Sequence, residues 1–239
     1  MSGVAAGLLV LALAAPIRDG NGDGRLVVAC LGDSNTLPGG FLVRHGWCDR
    51  LSSGRHRWQT VDHASGGATV TDFACTLGLP ICGRAQLATA LDDDAADAVI
   101  LAFGTNDVAF GVELPDIVAA YQARRAEAAA RGARAFVALT PPDFRSQARS
   151  RQIAALNRLL RASIPTEDLI DFARGMRRAL YLHDEVHLND RGQAKRARRA
   201  LLGRWPARAC GRTGSGSCRS YGREKAGGLA GGDPGASPV

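Results

Sequence analysis

The sequence predicts an α/β fold in which a parallel sheet is covered by helices on both of its faces. From Arg25 onward, short apolar segments of strand length alternate with helical segments, which is the pattern of strand–helix–strand units. Two of the strand-like segments are continuously apolar, as expected of strands that are buried on both faces. A chain of 239 residues with 46% hydrophobic and 22% charged residues can form one globular domain with tails.

Five segments of the chain are predicted to form strands. The first is an unbroken apolar run that ends abruptly at Gly32, and the third is equally apolar. Pro141 and Pro142 end the fourth, because proline cannot continue a ladder of backbone hydrogen bonds. In chain order the predicted strands are Leu26–Leu31, Trp58–His63, Ala98–Phe103, Ala135–Leu139 and Leu169–Phe172.

Five further segments are predicted to be helical. The third is rich in alanine and ends at Gly132, and the fourth carries its leucine and isoleucine side chains along one face. The predicted helices are Phe41–Leu51, Ala85–Leu91, Asp116–Arg131, Gln147–Ala162 and Asp190–Leu202. The folded domain is therefore expected to cover residues 25–205.

The amino terminus indicates export. Residues 1–16 contain a continuous apolar stretch that is too short to span a bilayer and is similar to the apolar region of a secretory signal. Ala12 and Ala14 supply a small-x-small cleavage pattern, although no Lys or Arg precedes the stretch. We expect a secreted or periplasmic protein. The alternative is a cytoplasmic protein whose N-terminal strand or helix packs on the domain.

Residues 17–24 are predicted to be a linker. The sequence DGNGDG matches the first half of a calcium loop, with Asp19, Asn21 and Asp23 as candidate ligands. The glutamate that should complete the loop is replaced by Cys30, which lies inside the first predicted strand. Three glycines in six residues suit a turn equally well, so no metal site is predicted.

The positive charge is concentrated at the carboxyl end of the chain. Residues 191–239 carry 11 basic and two acidic side chains, whereas residues 1–190 are slightly acidic. The last helix and the tail at 206–239 therefore explain the net charge of +7, as a solvated helix face and a disordered segment. No basic patch with interleaved aromatic residues supports nucleic-acid binding.

The six cysteines do not have the spacing of zinc ligands. Cys30 lies in the first predicted strand and is expected to be a buried free thiol. Cys75 and Cys82 flank a short loop and can pair with each other, as can Cys210 and Cys218. Export would permit both bridges.

Polar residues follow each of the first three predicted strands. Ser34 comes directly after the first, the Gly66–Gly67 pair after the second and Asn106 after the third. The carboxyl ends of parallel strands are where open α/β sheets bind ligands. A serine there is a candidate nucleophile, and a glycine can turn its N–H toward the same ligand.

Asp184 and His187 precede the last helix and are three residues apart. A serine needs a base to become nucleophilic, and the base needs a partner that orients it. His187 can be that base and Asp184 its partner. Each residue also has a structural interpretation: Ser34 and Asp184 as helix caps, His187 as a helix-start residue and Asn106 as part of a turn.

Taken together, these blocks resemble the SGNH (GDSL-type) hydrolase family from about Leu26 to Trp205. The resemblance implies a three-layer α/β/α sandwich with a flavodoxin-like parallel sheet, here of five strands. It also implies Ser34 as nucleophile, His187 as base and Asp184 as its partner. The oxyanion hole would be formed by the backbone N–H groups of Ser34 and Gly67 and by the Asn106 side chain.

This sequence departs from the family at one position. The second block usually opens with asparagine five residues before the oxyanion glycine, and here that residue is Asp62. The choice between Gly66 and Gly67 therefore stays slightly open. Gly67 is preferred because Ala68 and Thr69 follow it with the family's spacing.

The expected function is hydrolysis of carboxylic esters with short acyl or acetyl groups, through an acyl-enzyme intermediate. The substrate would be a small-molecule or carbohydrate ester. No cofactor, no nucleic-acid partner and no membrane span are expected, and the protein is expected to be a monomer. Three alternatives are a thioesterase or lysophospholipase that uses the same site, a non-catalytic ligand-binding module, and a nucleic-acid-binding protein.

Overall fold

The structure is a computed structural model, and it describes residues 17, 19, 26–37, 43–52 and 58–202. The predicted signal segment, most of the linker and candidate calcium loop, and the predicted tail lie outside the described residues. Ile17, in the predicted linker, is buried against the core. Within the described ranges, no helix is long and apolar enough to cross a bilayer, and no group of three or more potential metal ligands is present.

In the described part of the chain, five parallel strands form one sheet. The strands are β1 (Leu26–Gly32), β2 (Trp58–Asp62), β3 (Ala98–Ala102), β4 (Arg134–Ala138) and β5 (Leu169–Ile170). Their order in the sheet is β2-β1-β3-β4-β5, and every neighbouring pair is parallel. This is the order of flavodoxin-like sheets, so the predicted fold class is confirmed.

Within the described residues, seven helices belong to the same domain. They are α1 (Asp49–Ser52), α2 (Phe73–Thr76), α3 (Gly83–Asp92), α4 (Thr105–Ala109), α5 (Leu114–Ala130), α6 (Gln147–Ser163) and α7 (Asp190–Leu202). Two short 3₁₀ turns occupy Thr166–Asp168 and Arg178–Leu180. The major predicted helices and strands are found with ends that differ by at most two residues, except at the first helix.

The sheet separates two apolar cores. Alternate residues of β1 point to opposite faces. Ala29 and Leu31 pack with α3, α5 and α6, whereas Val28 and Cys30 pack with α1 and α7. Because both faces of the strand are covered, all seven of its residues are buried. The result is the expected three-layer sandwich.

The predicted helix Phe41–Leu51 is wrong in its extent. Phe41 lies outside the described residues, residues 43–48 are not helical, and α1 begins only at Asp49. Tertiary contacts determine the conformation of this segment. The Trp47 N–H donates to the Gln193 side chain of α7 (3.2 Å), and the Trp47 ring packs edge-on against Phe172.

Cys30 is not a free thiol, and the prediction for it was wrong. It forms a disulfide with Cys48, in the segment that packs on the α1 and α7 side of the sheet. The predicted bridge between Cys75 and Cys82 is confirmed. The predicted Cys210–Cys218 bridge lies outside the described residues.

Candidate active site

The candidate site lies at the carboxyl ends of β1, β2 and β3. Ser34 follows β1, the central one of these three neighbouring strands, Gly67 follows β2 and Asn106 lies in the first turn of α4 after β3. A backbone hydrogen bond from Ser65 to Gly32 (3.1 Å) holds the loop after β2 against the end of β1. The parallel register thus brings together residues from three separate parts of the sequence.

Ser34 sits in a tight turn that begins directly after Gly32, and only glycine fits at position 32. A Cβ atom at Gly32 would lie 2.3 Å from Thr36 Oγ1 and 2.8 Å from the Ala102 carbonyl oxygen. The Asp33 carbonyl accepts hydrogen bonds from Thr36 N (2.8 Å) and Leu37 N (3.1 Å), which closes the turn. This geometry leaves Ser34 only partly buried at the rim of the sheet.

Ser34, His187 and Asp184 form a hydrogen-bonded chain. The distance from Ser34 Oγ to His187 Nε2 is 2.9 Å, and the distance from His187 Nδ1 to Asp184 Oδ2 is 2.5 Å. Ser34 and His187 are 153 residues apart in sequence, so the fold alone creates this contact. A serine hydroxyl held by an imidazole that is itself held by a carboxylate can be activated as a nucleophile.

Asp184 is also anchored by backbone donors. Its Oδ1 atom accepts from Val186 N (3.0 Å) and His187 N (2.9 Å). Desolvation raises the pKa of Asp184, but the hydrogen bonds from the His187 side chain and from these two N–H groups lower it below its ordinary value. Asp184 is therefore ionised at neutral pH and presents a negative charge to the imidazole.

The two loops beside Ser34 supply candidate donors. Gly67 has a φ of +79°, a left-handed conformation that favours glycine, whereas Gly66 does not. Among the described residues, neither the Ser34 N–H nor the Gly67 N–H donates to another protein group. The Asn106 side chain donates to the Ala68 carbonyl (3.0 Å), which places its amide beside the Gly67 loop.

The Asp107 carboxylate joins these two loops. It accepts hydrogen bonds from Val70 N (3.0 Å), Thr71 N (3.1 Å) and the Thr71 hydroxyl (2.8 Å). Burial raises the pKa of Asp107, and these donors oppose the increase by favouring the charged form. Asp107 thus fixes the loop after β2 relative to the start of α4.

A buried polar network was missed in the sequence. Asn35 follows Ser34, and its side chain accepts from Leu188 N (3.1 Å), next to His187. Its carbonyl accepts from the Gln193 side chain (3.2 Å) and from the Arg196 guanidinium (2.8 Å) of α7. These contacts connect the turn that carries Ser34 to the segment that carries His187.

Three further histidines of the described structure, His45, His63 and His183, lie outside this chain of hydrogen bonds. His63 pairs with the Asp94 carboxylate, while His45 and His183 are exposed.

Asp62, where the family usually has asparagine, has an unusual electrostatic environment. Its Oδ1 accepts from Ala64 N (2.8 Å), whereas the buried Oδ2 has no hydrogen-bond partner in the described structure. Desolvation raises the pKa of Asp62 to about 7. The hydrogen bond from Ala64 N opposes this increase, and the negative charge of Asp49 adds to it. Ionising this carboxyl in the folded protein is therefore costly.

We expect Asp62→Asn to stabilise the protein at alkaline but not at acidic pH. The folded wild-type protein retains a proton that the unfolded chain loses, so its stability should fall as pH rises from about 4 to 7. Asparagine does not titrate, so the gain should reach on the order of 2 kcal/mol above pH 7 and vanish below pH 4. Urea denaturation at pH 4 and pH 8 measures it, with the exposed Asp93→Asn as control. An equal effect of Asp62→Asn at both pH values would contradict the explanation.

Solved structures of similar fold cover most of this chain. A member of the lipolytic G-D-S-L family from Veillonella parvula has a TM-score of 0.56 and 19% identity, over 74% of this chain and 96% of that one. The psychrotrophic esterase EstA from a Pseudoalteromonas species has a TM-score of 0.56 and 15% identity, over 74% and 95%. A carbohydrate esterase of family 3 from Talaromyces cellulolyticus has a TM-score of 0.55 and 19% identity, over 74% and 94%.

The sequence itself matches a family over most of the folded domain. Functionally curated proteins give no match. Residues 30–195 match the GDSL-like lipase/acylhydrolase family, a range that includes every predicted site residue. The resemblance inferred from the short blocks is thereby confirmed. The chain belongs to the GDSL-like lipase/acylhydrolase family and is a hydrolase of that family.

Proposed function

We propose that this hydrolase cleaves carboxylic esters with short acyl groups through an acyl-enzyme on Ser34. The observation that carries the proposal is the 2.9 Å contact between Ser34 Oγ and His187 Nε2, continued by the 2.5 Å contact from His187 Nδ1 to Asp184. In this geometry the lone pair of Nε2 faces the hydroxyl proton when Nδ1 carries the imidazole proton. The ionised Asp184 favours that tautomer.

The reaction proceeds in two halves. Ser34 Oγ attacks the ester carbonyl carbon while its proton passes to His187 Nε2, and the collapse of the tetrahedral intermediate breaks the bond to the alcohol. His187 returns the proton to the departing alcohol oxygen. A water molecule then attacks the acyl-enzyme with His187 as base, which releases the carboxylic acid and regenerates Ser34.

The developing oxyanion needs donors that are fixed before the reaction. The Ser34 and Gly67 N–H groups and the Asn106 amide are proposed for this role. Support comes from the Asp107 hydrogen bonds, which fix the two loops, and from the Asn106–Ala68 contact. Rigid donors stabilise the transition state more than the ground state, because the charge on the oxygen develops only during attack.

Asn106→Ala should lower kcat by roughly 10²–10³, the usual loss for one oxyanion donor. KM should change little, because the ground-state carbonyl depends less on this contact. Steady-state kinetics on a short ester measures both values. A thermal melt serves as the control, since the Asn106–Ala68 contact is lost as well. A raised KM with unchanged kcat would instead identify Asn106 as a substrate-binding residue.

Two assays test the proposed function. The full-length protein should hydrolyse p-nitrophenyl acetate, and an organophosphorus inhibitor should abolish turnover by modifying Ser34 at one equivalent per chain. Peptide mass spectrometry identifies the modified residue. Absence of turnover on acetyl, butyryl and octanoyl esters, together with absence of labelling, would favour the non-catalytic binding module.

A second candidate, hydrolysis of longer acyl chains as in thioesterases or lysophospholipases, is favoured by exposed apolar side chains near the donor loops. Phe73 at the start of α2 and Phe110 directly after α4 are exposed and stacked, with ring centroids 5.1 Å apart. Phe110 lies one helical turn beyond Asn106, and its N–H donates to the Asn106 carbonyl (2.8 Å). Leu77 and Leu79 are exposed in the loop that the Cys75–Cys82 disulfide closes.

A series of p-nitrophenyl esters from two to eight acyl carbons distinguishes the two candidates. If these side chains bind the acyl group, kcat/KM should rise with chain length, and Phe110→Ala should lower it about tenfold for the longest ester only. Leu159→Ala removes another exposed apolar side chain, on α6, and serves as the control. A preference for acetate that Phe110→Ala leaves unchanged would support the short-ester assignment.

Export remains a proposal. It is supported by the apolar N-terminal sequence and by the two disulfides of the described residues, because disulfides persist in oxidising compartments.

A further inference from the structure

The exposed side of α7 forms one wall of a strongly basic cleft. The cleft has a volume of about 710 Å³ and lies between α7 and the loop that contains Gly175 and Arg177. Its charged lining consists of cations only: Arg177, Arg191, Lys195, Arg198 and Arg199. The sequence predicts a solvated helix face for the four cations of α7, but the structure gives them a second wall.

Helix periodicity explains the arrangement of these cations. α7 buries Gln193, Arg196 and Ala197 on its inner face, so Lys195, Arg198 and Arg199 point outward. The opposite wall is held close by direct contacts. Lys195 Nζ donates to the Gly175 carbonyl, and a Cβ at Gly192 would come within 2.4 Å of the Leu180 carbonyl.

No carboxylate of the described residues neutralises the charge of the cleft. In the part of the chain that the structure describes, none of the five cations forms an ion pair with a carboxylate. By contrast, arginines elsewhere pair with acidic residues: Arg124, Arg125, Arg131, Arg134 and Arg161. Desolvation, together with repulsion from Arg199, Arg177 and Arg198, lowers the pKa of Lys195. An anion in the cleft would relieve that repulsion.

We propose that this cleft binds a ligand that carries two or more phosphate charges. Guanidinium groups match phosphate oxygens in pairs, and four of the five cations are arginines from two different walls. The volume is that of a small-ligand site. The proposal does not rest on the proposed ester hydrolysis, because the cleft lies on the outer face of α7 while the inner face contacts Asn35. The phosphates come either from a soluble compound or from the headgroup of an anionic lipid.

Two charge-matched double variants test the site. Arg198→Gln with Arg199→Gln removes two cations from the cleft, whereas Arg151→Gln with Arg158→Gln removes two exposed, unpaired arginines of α6 in the described structure. Both changes preserve helix-forming residues and alter the net charge equally. The thermal unfolding curves of all variants should match that of the wild-type protein, which reports correct folding.

Titration calorimetry with pyrophosphate measures binding of the soluble form. The wild-type protein and the α6 variant should bind with equal affinity, and the α7 variant at least tenfold more weakly. Arg177→Gln removes a cation from the other wall and should also weaken binding. If the ligand contacted α7 alone, this variant would bind as tightly as the wild-type protein. Sedimentation with vesicles that contain cardiolipin, whose headgroup carries two phosphates, compared with phosphatidylcholine vesicles, measures binding of the lipid headgroup with the same variants.

Each outcome decides the proposal. Cleft-dependent binding of pyrophosphate alone identifies a soluble ligand, and cleft-dependent binding to cardiolipin alone identifies a headgroup. Failure of the wild-type protein to bind either probe overturns the proposal. An equal loss of affinity in the α6 and α7 variants also overturns it, because that loss would reflect net charge and not a site.

Discussion

Ser34→Ala should lower ester turnover by about 10⁴–10⁶ and leave the fold intact. The Ser34 hydroxyl is the atom that His187 contacts, and no other residue is proposed to form the acyl-enzyme. Removing a partly buried hydroxyl at the rim of the sheet creates no cavity in either apolar core. The free energy of unfolding should therefore change by only about 0.5 kcal/mol.

The measurement compares kcat, inhibitor labelling and thermal unfolding of Ser34→Ala with those of the wild-type protein. Ser163→Ala, which removes an exposed hydroxyl at the end of α6, is the matched control and should behave as the wild type does. Turnover by Ser34→Ala at the wild-type rate would show that another group is the nucleophile, and the acyl-enzyme proposal would then be wrong.

The parallel sheet could be predicted because its signals are local. β1 and β3 are buried on both faces, and only continuous apolar runs such as Leu26–Leu31 satisfy that environment. The segment at residues 43–48 gave no such signal. Its conformation depends on Gln193, 146 residues away from Trp47, and on the disulfide to Cys30. Tertiary contacts of this kind override local helix propensity.

The sequence identifies those residues of the candidate site whose side chains have a characteristic chemical role. Ser34, Asp184 and His187 are functional groups in recognisable blocks, and the structure brings the three within hydrogen-bond distance. Asn35 and Arg196 carried no signal because an amide and a guanidinium have many surface roles. Their importance comes from burial and from a hydrogen bond between residues 161 positions apart.

Asp184→Asn should lower kcat by about 10⁴ while the geometry of the site is preserved. Asparagine retains the Oδ1 acceptor for Val186 N and His187 N, so the turn before α7 should keep its shape. The change occurs at the other atom, where an NH₂ group replaces the carboxylate oxygen 2.5 Å from His187 Nδ1. Nδ1 must then accept a hydrogen bond, which moves the imidazole proton to Nε2.

An imidazole with its proton on Nε2 can donate to the Ser34 hydroxyl but cannot take its proton. The loss should therefore appear in kcat, with little change in KM or in thermal stability. The neighbouring Glu185→Gln is the matched control, because Glu185 pairs with Arg178 on the surface and is not the carboxylate that holds His187. Kinetics on a short ester from pH 6 to pH 9 provides the measurement. If Asp184→Asn and Glu185→Gln retained similar activity across that range, orientation of His187 by Asp184 would play no part in turnover.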